Sequence, residues 1–344
     1  MKIYGAWLTV NRFCNFRCSW CYAQGTEFKS EDSMPLCLAK DLINLIHAIG
    51  IQRLILIGGE TLFWKYLFEV ATYLKSLGIT STVVSNGWLL GHERYRDKVA
   101  DSDITAVGIS LKAGNRQQNL QLTGFDGFNR VLEGLRTTSS WEHIRIETST
   151  VITNQTLYNL AEIVKVAFDN GAKFMNIQMC GPLIEDGEVF DSQYMASPSD
   201  IVTTFMAQYE EIDNVSGGNF SLESTIPVCL WPTEFLEMLE GKNQIHFGCH
   251  MRIRGGLLFD RWGKLIPCNH LYDYPMGQFG KDFSDVPSLE KHWMQPELTS
   301  FYDSMLAYPA EACIGCDDFG KCGGGCPLQW FVLDPDLVIA KKGA

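Results

Sequence analysis

The order of predicted strands and helices limits this 344-residue chain to one fold class. Short β-rich runs alternate with longer helical patterns, and six such units fall within roughly 180 residues. Strands that alternate with helices favour parallel pairing through crossover connections. We therefore predict an α/β fold with a partial (βα)6, TIM-like barrel in residues 1–215 and a small cysteine-rich domain with a bridging region in residues 216–344. The predicted strands are 5–10, 53–57, 80–84, 104–111, 144–152 and 174–179, and the helices are 34–49, 67–77, 128–135 and 157–170.

Composition and charge exclude several classes of protein. The chain is 46% hydrophobic, which is enough to bury a core without covalent staples. Its net charge of -12 argues against binding along a nucleic acid backbone. It has no apolar run of about 18 residues and no secretion signal. We therefore expect a cytoplasmic protein without a membrane span.

The twelve cysteines are clustered rather than scattered. In a reducing compartment disulfides rarely persist, so this number points to metal or redox chemistry. Two clusters predict two metal regions. The first contains Cys14, Cys18 and Cys21; the second contains Cys313, Cys316, Cys322 and Cys326; Cys249 and Cys268 lie between them, and Cys37, Cys180 and Cys229 stand apart.

The spacing of Cys14, Cys18 and Cys21 suits one face of a [4Fe–4S] cluster. Thiolate is the soft ligand that such a cluster prefers, and three cysteines leave one iron open for a substrate or cofactor. A structural zinc loop is the alternative, although three cysteines alone leave zinc incomplete.

Small and polar residues follow the predicted strands, where ligands bind in folds of this class. They are Gly58, Gly59 and Glu60 after the second strand, Ser85 and Asn86 after the third, Ser110 and Lys112 after the fourth, and Cys180 after the sixth. Read alone, the glycines suit a turn, Ser85 and Asn86 a helix cap, and Glu60 and Lys112 solvated charges. Their shared position predicts one pocket.

With Trp20 directly before Cys21, the first cysteine motif resembles the radical SAM superfamily. The resemblance implies that Cys14, Cys18 and Cys21 hold a cluster whose open iron binds S-adenosylmethionine (SAM). Reductive cleavage of SAM would then yield a 5′-deoxyadenosyl radical that abstracts hydrogen from a substrate carbon. The implied SAM-binding residues are Trp20, Gly58, Gly59 and Glu60 for the methionine end, Ser85 and Asn86 for the ribose, Ser110 and Lys112 for the carboxylate, and Ile152 as an adenine wall.

The C-terminal cysteines, with Gly263-x4-Cys268 before them, resemble the SPASM extension of peptide-modifying radical SAM enzymes. The resemblance implies two auxiliary [4Fe–4S] clusters. Cys249, Cys268 and Cys326 would bind the first, with Cys229 as our candidate for its remaining position, and Cys313, Cys316 and Cys322 would bind the second.

The last cysteine of the SPASM pattern has no counterpart here. The second auxiliary cluster would therefore have an open iron, use Asp317, Asp334 or Asp336, or be absent. The four cysteines in residues 313–326 also suit a zinc site. Of the other thiols, Cys37 is expected in the core, and Cys180 is either a buried structural thiol or a hydrogen donor to a substrate radical.

The resemblance implies an enzyme that modifies a ribosomally made precursor peptide by a crosslink, a thioether or an oxidation. The alternatives are a radical SAM dehydrogenase or epimerase acting on a small molecule or peptide, and a non-catalytic iron–sulfur electron carrier or zinc-stapled binding protein. Expected partners are the precursor peptide and a reductant such as flavodoxin or ferredoxin. Because the chain begins directly at the first strand, we expect the peptide to be recognised by the barrel surface or by a separate leader-binding protein.

Overall fold

Six parallel strands in chain order form the centre of the molecule. The computed structural model describes residues 2–23, 33–185 and 187–339. Within these ranges the six strands pair side by side, and each is parallel to the next. They are β1 (Gly5–Thr9), β2 (Arg53–Ile57), β3 (Thr80–Ser85), β4 (Ala106–Ser110), β5 (Arg145–Ile152) and β6 (Met175–Met179). The predicted α/β fold with a parallel sheet is confirmed.

Helices connect these strands and pack against the sheet through apolar faces. In α1, for example, Leu42, Ile43 and Ile46 are fully buried. Two short polar helices, α3 and α4, have no predicted counterpart, because their few buried side chains leave only a weak periodic pattern. The helices are α1 (Leu36–Ile49), α2 (Leu67–Ser76), α3 (Glu93–Ala100), α4 (Arg116–Thr123), α5 (Phe128–Thr138) and α6 (Leu160–Asp169).

The remaining elements follow β6 in the chain, and five of their strands extend the sheet. They are β7 (Leu183–Glu185), β8 (Glu188–Asp191), α7 (Pro198–Ser216), β9 (Phe220–Ser224), α8 (Thr233–Gly241), β10 (Ile245–Phe247), β11 (Gly256–Phe259), β12 (Lys264–Ile266), β13 (Gly277–Gln278), α9 (Val286–Trp293), α10 (Pro296–Met305), α11 (Phe319–Cys322) and α12 (Pro335–Ile339). Strands β7 and β8 form a separate antiparallel hairpin directly after β6.

The sheet continues across the predicted division at residue 216. Strand β9 pairs parallel with β6, and β10 pairs parallel with β9. At the opposite side β11 pairs parallel with β1, followed by the antiparallel strands β12 and β13. The cysteine-rich part of the chain therefore shares one eleven-stranded sheet with the part that precedes it, among the residues described.

The hydrophobic core is continuous beneath this sheet. Leu8 of β1 and Leu54 and Leu56 of β2 are fully buried, and Phe205 of α7 packs edge-on against Trp231. No helix in the described ranges is long and apolar enough to cross a membrane. Since β1 to β6 are parallel, their carboxyl ends lie along one edge, and the loops that follow them form the candidate site.

Candidate functional site

The loop after β1 carries the three cysteines of the first motif. Backbone N–H groups of Arg17 and Ser19 donate to the carbonyls of Thr123 and Leu122, which anchors the loop to the end of α4. Burial raises the pKa of the Cys14 thiol to about 12 and that of Cys18 to about 11. None of the twelve cysteines, all of which lie in the described residues, forms a disulfide. The loop therefore presents largely desolvated thiols that a metal cluster would have to deprotonate.

Gly58 and Gly59 let the loop after β2 lie directly against the cysteine loop. A Cβ added to Gly58 would lie 2.7 Å from the Asn11 carbonyl oxygen, and one on Gly59 would lie 2.6 Å from the Phe13 carbonyl carbon. The Glu60 N–H donates to Phe13 O at 2.6 Å. From the sequence, these glycines were expected to let the backbone approach a ligand. In the structure, the lack of a side chain at both positions makes room for the backbone of the cysteine loop.

Glu60 is fully buried beside Cys14. Its Oε1 accepts from the Leu62 N–H at 3.0 Å and its Oε2 from the Asn86 N–H at 2.7 Å. Burial raises the pKa of Glu60, and these two N–H groups and the Lys112 ammonium act in the opposite direction. Carboxylates accept up to four hydrogen bonds, so lone pairs remain for a ligand ammonium group.

Ser85 and Asn86 lie at the same edge, and both are hydrogen-bonded within the protein. Ser85 Oγ accepts from the Gly87 N–H at 2.9 Å. Asn86 Nδ2 donates to Asn15 Oδ1 at 2.8 Å, which links the loop after β3 to the cysteine loop. These bonds leave part of the hydrogen-bonding capacity of both side chains for a ribose.

A lysine directly after the fourth strand and a buried isoleucine at the end of the fifth strand also belong to the predicted site. Lys112 lowers the pKa of Cys18 and Cys21, in each case against a larger effect of burial, so its ammonium lies toward the cysteine loop. Ser110 Oγ lies 3.0 Å from Ser149 Oγ. Ile152 is completely buried and belongs to the hydrophobic core. Its role as an adenine wall stays a prediction.

Arg12 is a site residue that sequence reasoning missed. It is 1% exposed, and its guanidinium lies 5.5 Å from the ring centre of Tyr22 and 5.7 Å from that of Tyr272. Its Nε and Nη1 atoms have no hydrogen-bond partner among the residues described. Burial raises the pKa of Cys21, and the charge of Arg12 acts in the opposite direction. The sequence carried no signal for Arg12, because its burial is visible only in the structure, and an anionic cluster in the loop would balance its charge.

Cys180 and Trp20 line a small pocket next to the cysteine loop. Trp20 packs with Ala113 and Leu122, and Cys180 and Cys18 both contact this group. Burial raises the pKa of the Cys180 thiol to about 12, so it keeps its proton at neutral pH. The other residues that line the pocket are Gly181, Leu183, Asp191, Ser192, Tyr194 and Met195.

The C-terminal thiols form two neighbouring sets. Burial raises the pKa of Cys268 to about 12, and the charges of Cys249 and Cys326 raise it further. In the same way burial raises the pKa of Cys313, with further contributions from Cys322 and Cys316. The structure therefore brings together the three cysteines predicted for each auxiliary cluster.

Cys229, Cys37 and the three candidate aspartates lie at different places around these sets and the helices. Cys229 packs against the group formed by Ala310, Cys313 and Ile339, beside the second set rather than the first. Cys37 is exposed on α1, which corrects the expected core position, because it falls outside the apolar face of that helix. Asp317 is exposed, and Asp336 accepts from the Glu311 N–H at 3.3 Å. Asp334 accepts from the N–H of Asp336 at 3.0 Å.

Among residues 2–23, 33–185 and 187–339, no group of three or more His, Cys, Asp or Glu side chains is arranged to hold a metal ion. A cubane of four irons and four sulfides is larger than one ion and needs thiols that are farther apart. The donor set in the first loop consists of three thiols outside any disulfide, a buried carboxylate and a guanidinium with two nitrogen atoms that lack a hydrogen-bond partner among the described residues. This set fits such a cluster with SAM on its open iron.

Comparison with known proteins agrees with this geometry. Residues 8–169 match the model of the radical SAM superfamily. A probable GTP 3′,8-cyclase of Saccharolobus islandicus is 33% identical over 134 residues, which cover 38% of this chain and 41% of the relative. A probable GTP 3′,8-cyclase of Sulfurisphaera tokodaii is 26% identical over 49% of this chain and 54% of the relative. The chain thus spans about half the length of the curated relatives it matches.

Two solved structures resemble nearly the whole chain. Native anSMEcpe with bound AdoMet has a TM-score of 0.67 at 19% identity, covering 94% of this chain and 89% of its own. Streptococcus suis SuiB bound to its precursor peptide SuiA has a TM-score of 0.67 at 16% identity, covering 94% and 72%. These likenesses establish a common fold. The chain therefore carries a radical SAM domain, within a fold that it shares with anSMEcpe and SuiB.

Proposed function

We propose that this protein cleaves SAM reductively at a [4Fe–4S] cluster held by Cys14, Cys18 and Cys21, and that it thereby modifies a ribosomally made precursor peptide. The modification would be a crosslink, a thioether or an oxidation. The observation that carries the SAM chemistry is the meeting of the cysteine loop with Glu60 and Asn86 at one edge of the sheet. Support for a peptide comes from the whole-chain fold, which is shared with SuiB bound to a precursor peptide and with anSMEcpe bound to AdoMet and a peptide.

The residues around the loop suit the charged ends of SAM. When bound, the cluster supplies the electron that cleaves the sulfonium and produces the 5′-deoxyadenosyl radical. Glu60 would pair with the ammonium of SAM, and Lys112 and Ser110 would meet its carboxylate. Trp20 packs beside the loop and limits the access of water. Gly58 and Gly59 would keep the Glu60 backbone close to the cysteines.

The C-terminal thiol sets would hold the auxiliary clusters, one in each set. Such clusters would accept the electron left on the substrate or bind the substrate directly. In this proposal residues 1–215 perform the radical chemistry and residues 216–344 handle the substrate electron. A reductant such as flavodoxin or ferredoxin would supply each cycle, and a separate protein would present the peptide leader. Twelve cysteines without a disulfide among them suit a reducing compartment such as the cytoplasm.

A small-molecule substrate is the second candidate. The curated relatives that match this chain are named probable GTP 3′,8-cyclases, which favours a purine nucleotide as the molecule to compare. A dehydrogenase or epimerase acting on another small molecule belongs to the same class.

The test begins with anaerobically reconstituted protein, dithionite and SAM. We expect 5′-deoxyadenosine from the wild type and none from a Cys14→Ala/Cys18→Ala/Cys21→Ala variant with folding verified by circular dichroism. Failure of the iron-loaded wild type to form 5′-deoxyadenosine would reject the radical enzyme and favour an electron carrier or a zinc-stapled protein.

The substrate is tested separately with candidate precursor peptides, GTP and no substrate. After crosslinking or oxidation, tandem mass spectrometry would show the loss of two hydrogens at one peptide position. Epimerisation would leave the peptide mass unchanged in ordinary water but would incorporate deuterium when the reaction is run in deuterated water. Conversion of GTP with unmodified peptides would replace the peptide proposal by the second candidate.

A further inference from the structure

We infer that Cys229 completes the second thiol set, so that Cys229, Cys313, Cys316 and Cys322 bind one cluster and Cys249, Cys268 and Cys326 bind the other. This inference rests on the proposed function only in assuming that these thiols bind iron–sulfur clusters. It reverses the assignment that the sequence pattern favoured.

Two contacts place Cys229 beside the second set. Its side chain packs against the group of Ala310, Cys313 and Ile339, which Phe319 and Trp330 also cover. The backbone N–H of Val228, directly before Cys229, donates to Cys322 Sγ at 3.3 Å. The segment that carries Cys229 is therefore hydrogen-bonded to one thiol of the set, and the Cys229 side chain lies in the group that contains another.

A turn after β9 brings this segment into place. The Cys326 N–H donates to Thr225 O at 3.1 Å, and a 3-10 turn follows over Val228–Leu230. Gly325 has a φ of 78°, and a Cβ on it would lie 2.5 Å from Thr225 O. Glycine is needed both for this conformation and for the close approach of the two backbones.

The same glycine run explains why Cys322 and Cys326 fall into different sets. Gly323, Gly324 and Gly325 all have positive φ values, so the chain reverses direction between the two cysteines. The Gly325 N–H donates to the Cys322 carbonyl at 3.2 Å, which closes this turn, and the Cys326 N–H beyond it donates to Thr225 O. Cys322 Sγ instead accepts from the Val228 N–H at 3.3 Å, in the segment that carries Cys229.

Arg252 lies beside the glycine run that separates Cys322 from Cys326. It is 7% exposed, its guanidinium lies 5.4 Å from the ring centre of Phe319, and a Cβ on Gly323 would lie 2.5 Å from its Nε. Burial lowers the pKa of this guanidinium, and charges of cysteines from both sets oppose that effect. Thiol ligands bind iron as thiolates and release their protons, which leaves each set strongly negative. One buried cation shared by the two sets offsets part of that charge.

The assignment moves the missing ligand from the second set to the first. Seven C-terminal cysteines divide into four and three, so the first cluster would have one iron without a protein thiolate. That iron would accept water or a donor group of the substrate, as an open metal position does in other proteins.

The experiment disables one set at a time in the full chain. Cys229→Ala is added to a Cys249→Ala/Cys268→Ala variant and, separately, to a Cys313→Ala/Cys316→Ala variant, and iron, zinc and sulfide are measured after anaerobic reconstitution. We expect Cys229→Ala to remove about 1 to 4 iron atoms per chain in the first background and none in the second. Cys37→Ala, an exposed thiol on α1, is the matched control and should change neither.

Loss of iron only in the Cys313→Ala/Cys316→Ala background would assign Cys229 to the first set. No loss in either background would mean that Cys229 binds neither cluster. Each of these results would overturn the inference, and so would zinc in place of iron in the second set. Alkylation of native Cys229 provides a readout that needs no substitution there. We expect protection from iodoacetamide in the loaded wild type and in the Cys249→Ala/Cys268→Ala variant, and modification in the Cys313→Ala/Cys316→Ala variant. Protection in the last variant would contradict the assignment. None of these measurements depends on SAM cleavage, so failure of the proposed function is recognised separately.

Discussion

The backbone N–H of Asn86 donates to Oε2 of Glu60 at 2.7 Å and fixes the carboxylate next to Cys14. In Glu60→Gln the amide has one acceptor oxygen, so either Asn86 or Leu62 loses its acceptor, and the negative charge that would pair with SAM disappears. We expect SAM to bind about tenfold more weakly or worse, since a lost buried hydrogen bond costs about 1–3 kcal/mol. Equilibrium binding of SAM to the iron-loaded protein measures this. Glu69→Gln, an exposed residue paired with Lys40, is the control, and an unchanged SAM affinity in Glu60→Gln would show that Glu60 is not a ligand.

Gly59→Ala should separate the two loops that meet at the site. The added Cβ would lie 2.6 Å from the Phe13 carbonyl carbon, and backbone on both sides must shift to relieve the contact. We expect a destabilisation of about 1–3 kcal/mol and loss of iron from the first cluster. Thermal unfolding and iron analysis measure the two effects. Gly108→Ala in β4 is the matched control because its Cβ would meet nothing within 4 Å, so equal losses in both variants would argue against the close contact.

Removing the charge of Arg12 should make the first cluster harder to reduce. In Arg12→Met the side chain keeps apolar packing between Tyr22 and Tyr272 but no longer offsets the added electron. Each 1.4 kcal/mol of lost stabilisation lowers a one-electron potential by about 59 mV. A redox titration followed by electron paramagnetic resonance gives the potential. Arg53→Met, at the opposite end of β2, should leave it unchanged; the same potential in all three proteins would mean that Arg12 has no electrostatic role.

Cys180→Ala should retain 5′-deoxyadenosine production and change the product if Cys180 donates hydrogen to a substrate radical. The thiol lies in the pocket beside Trp20. With a pKa of about 12 it stays protonated throughout the neutral range, so the product ratio of the wild type should not vary between about pH 7 and 9 on account of Cys180. Mass spectrometry of the products at both pH values measures this. An identical product from the variant would make Cys180 a structural thiol.

The parallel strands could be predicted from the sequence because strands buried on both faces are short apolar runs between helical patterns. Residues Arg53–Ile57 form β2 with the predicted bounds, and the other five strands of the central group differ from prediction by no more than two residues at either end. Predicting where β9 and β11 pair was not possible from local pattern. Both strands are as short as their neighbours, and their partners β6 and β1 are chosen by packing over long separations in the chain.

Local residue patterns also predicted the cysteine loop and the residues that face it. They did not predict Arg12 as a site residue, because a single arginine near a strand end has no distinguishing spacing. The position of Cys229 depends on the reversal at Gly323–Gly325 and on the turn after β9, which are separated by about a hundred residues in sequence, so only the fold brings them together. Cys37 was misplaced because one position of a helix turn decides between core and solvent.

In the cysteine-rich part, β11 pairs with β1 and β9 pairs with β6, so this part also covers the two edges of the central six-stranded group. A chain cut after residue 215 would leave both outer strands of the six-stranded group with unsatisfied N–H and C=O groups along their lengths. Exposed edge strands of this kind pair with strands of other molecules. The shortened chain should therefore self-associate even before any iron is lost, and light scattering would detect the large species. The carboxyl-terminal region would thus protect the protein from aggregation.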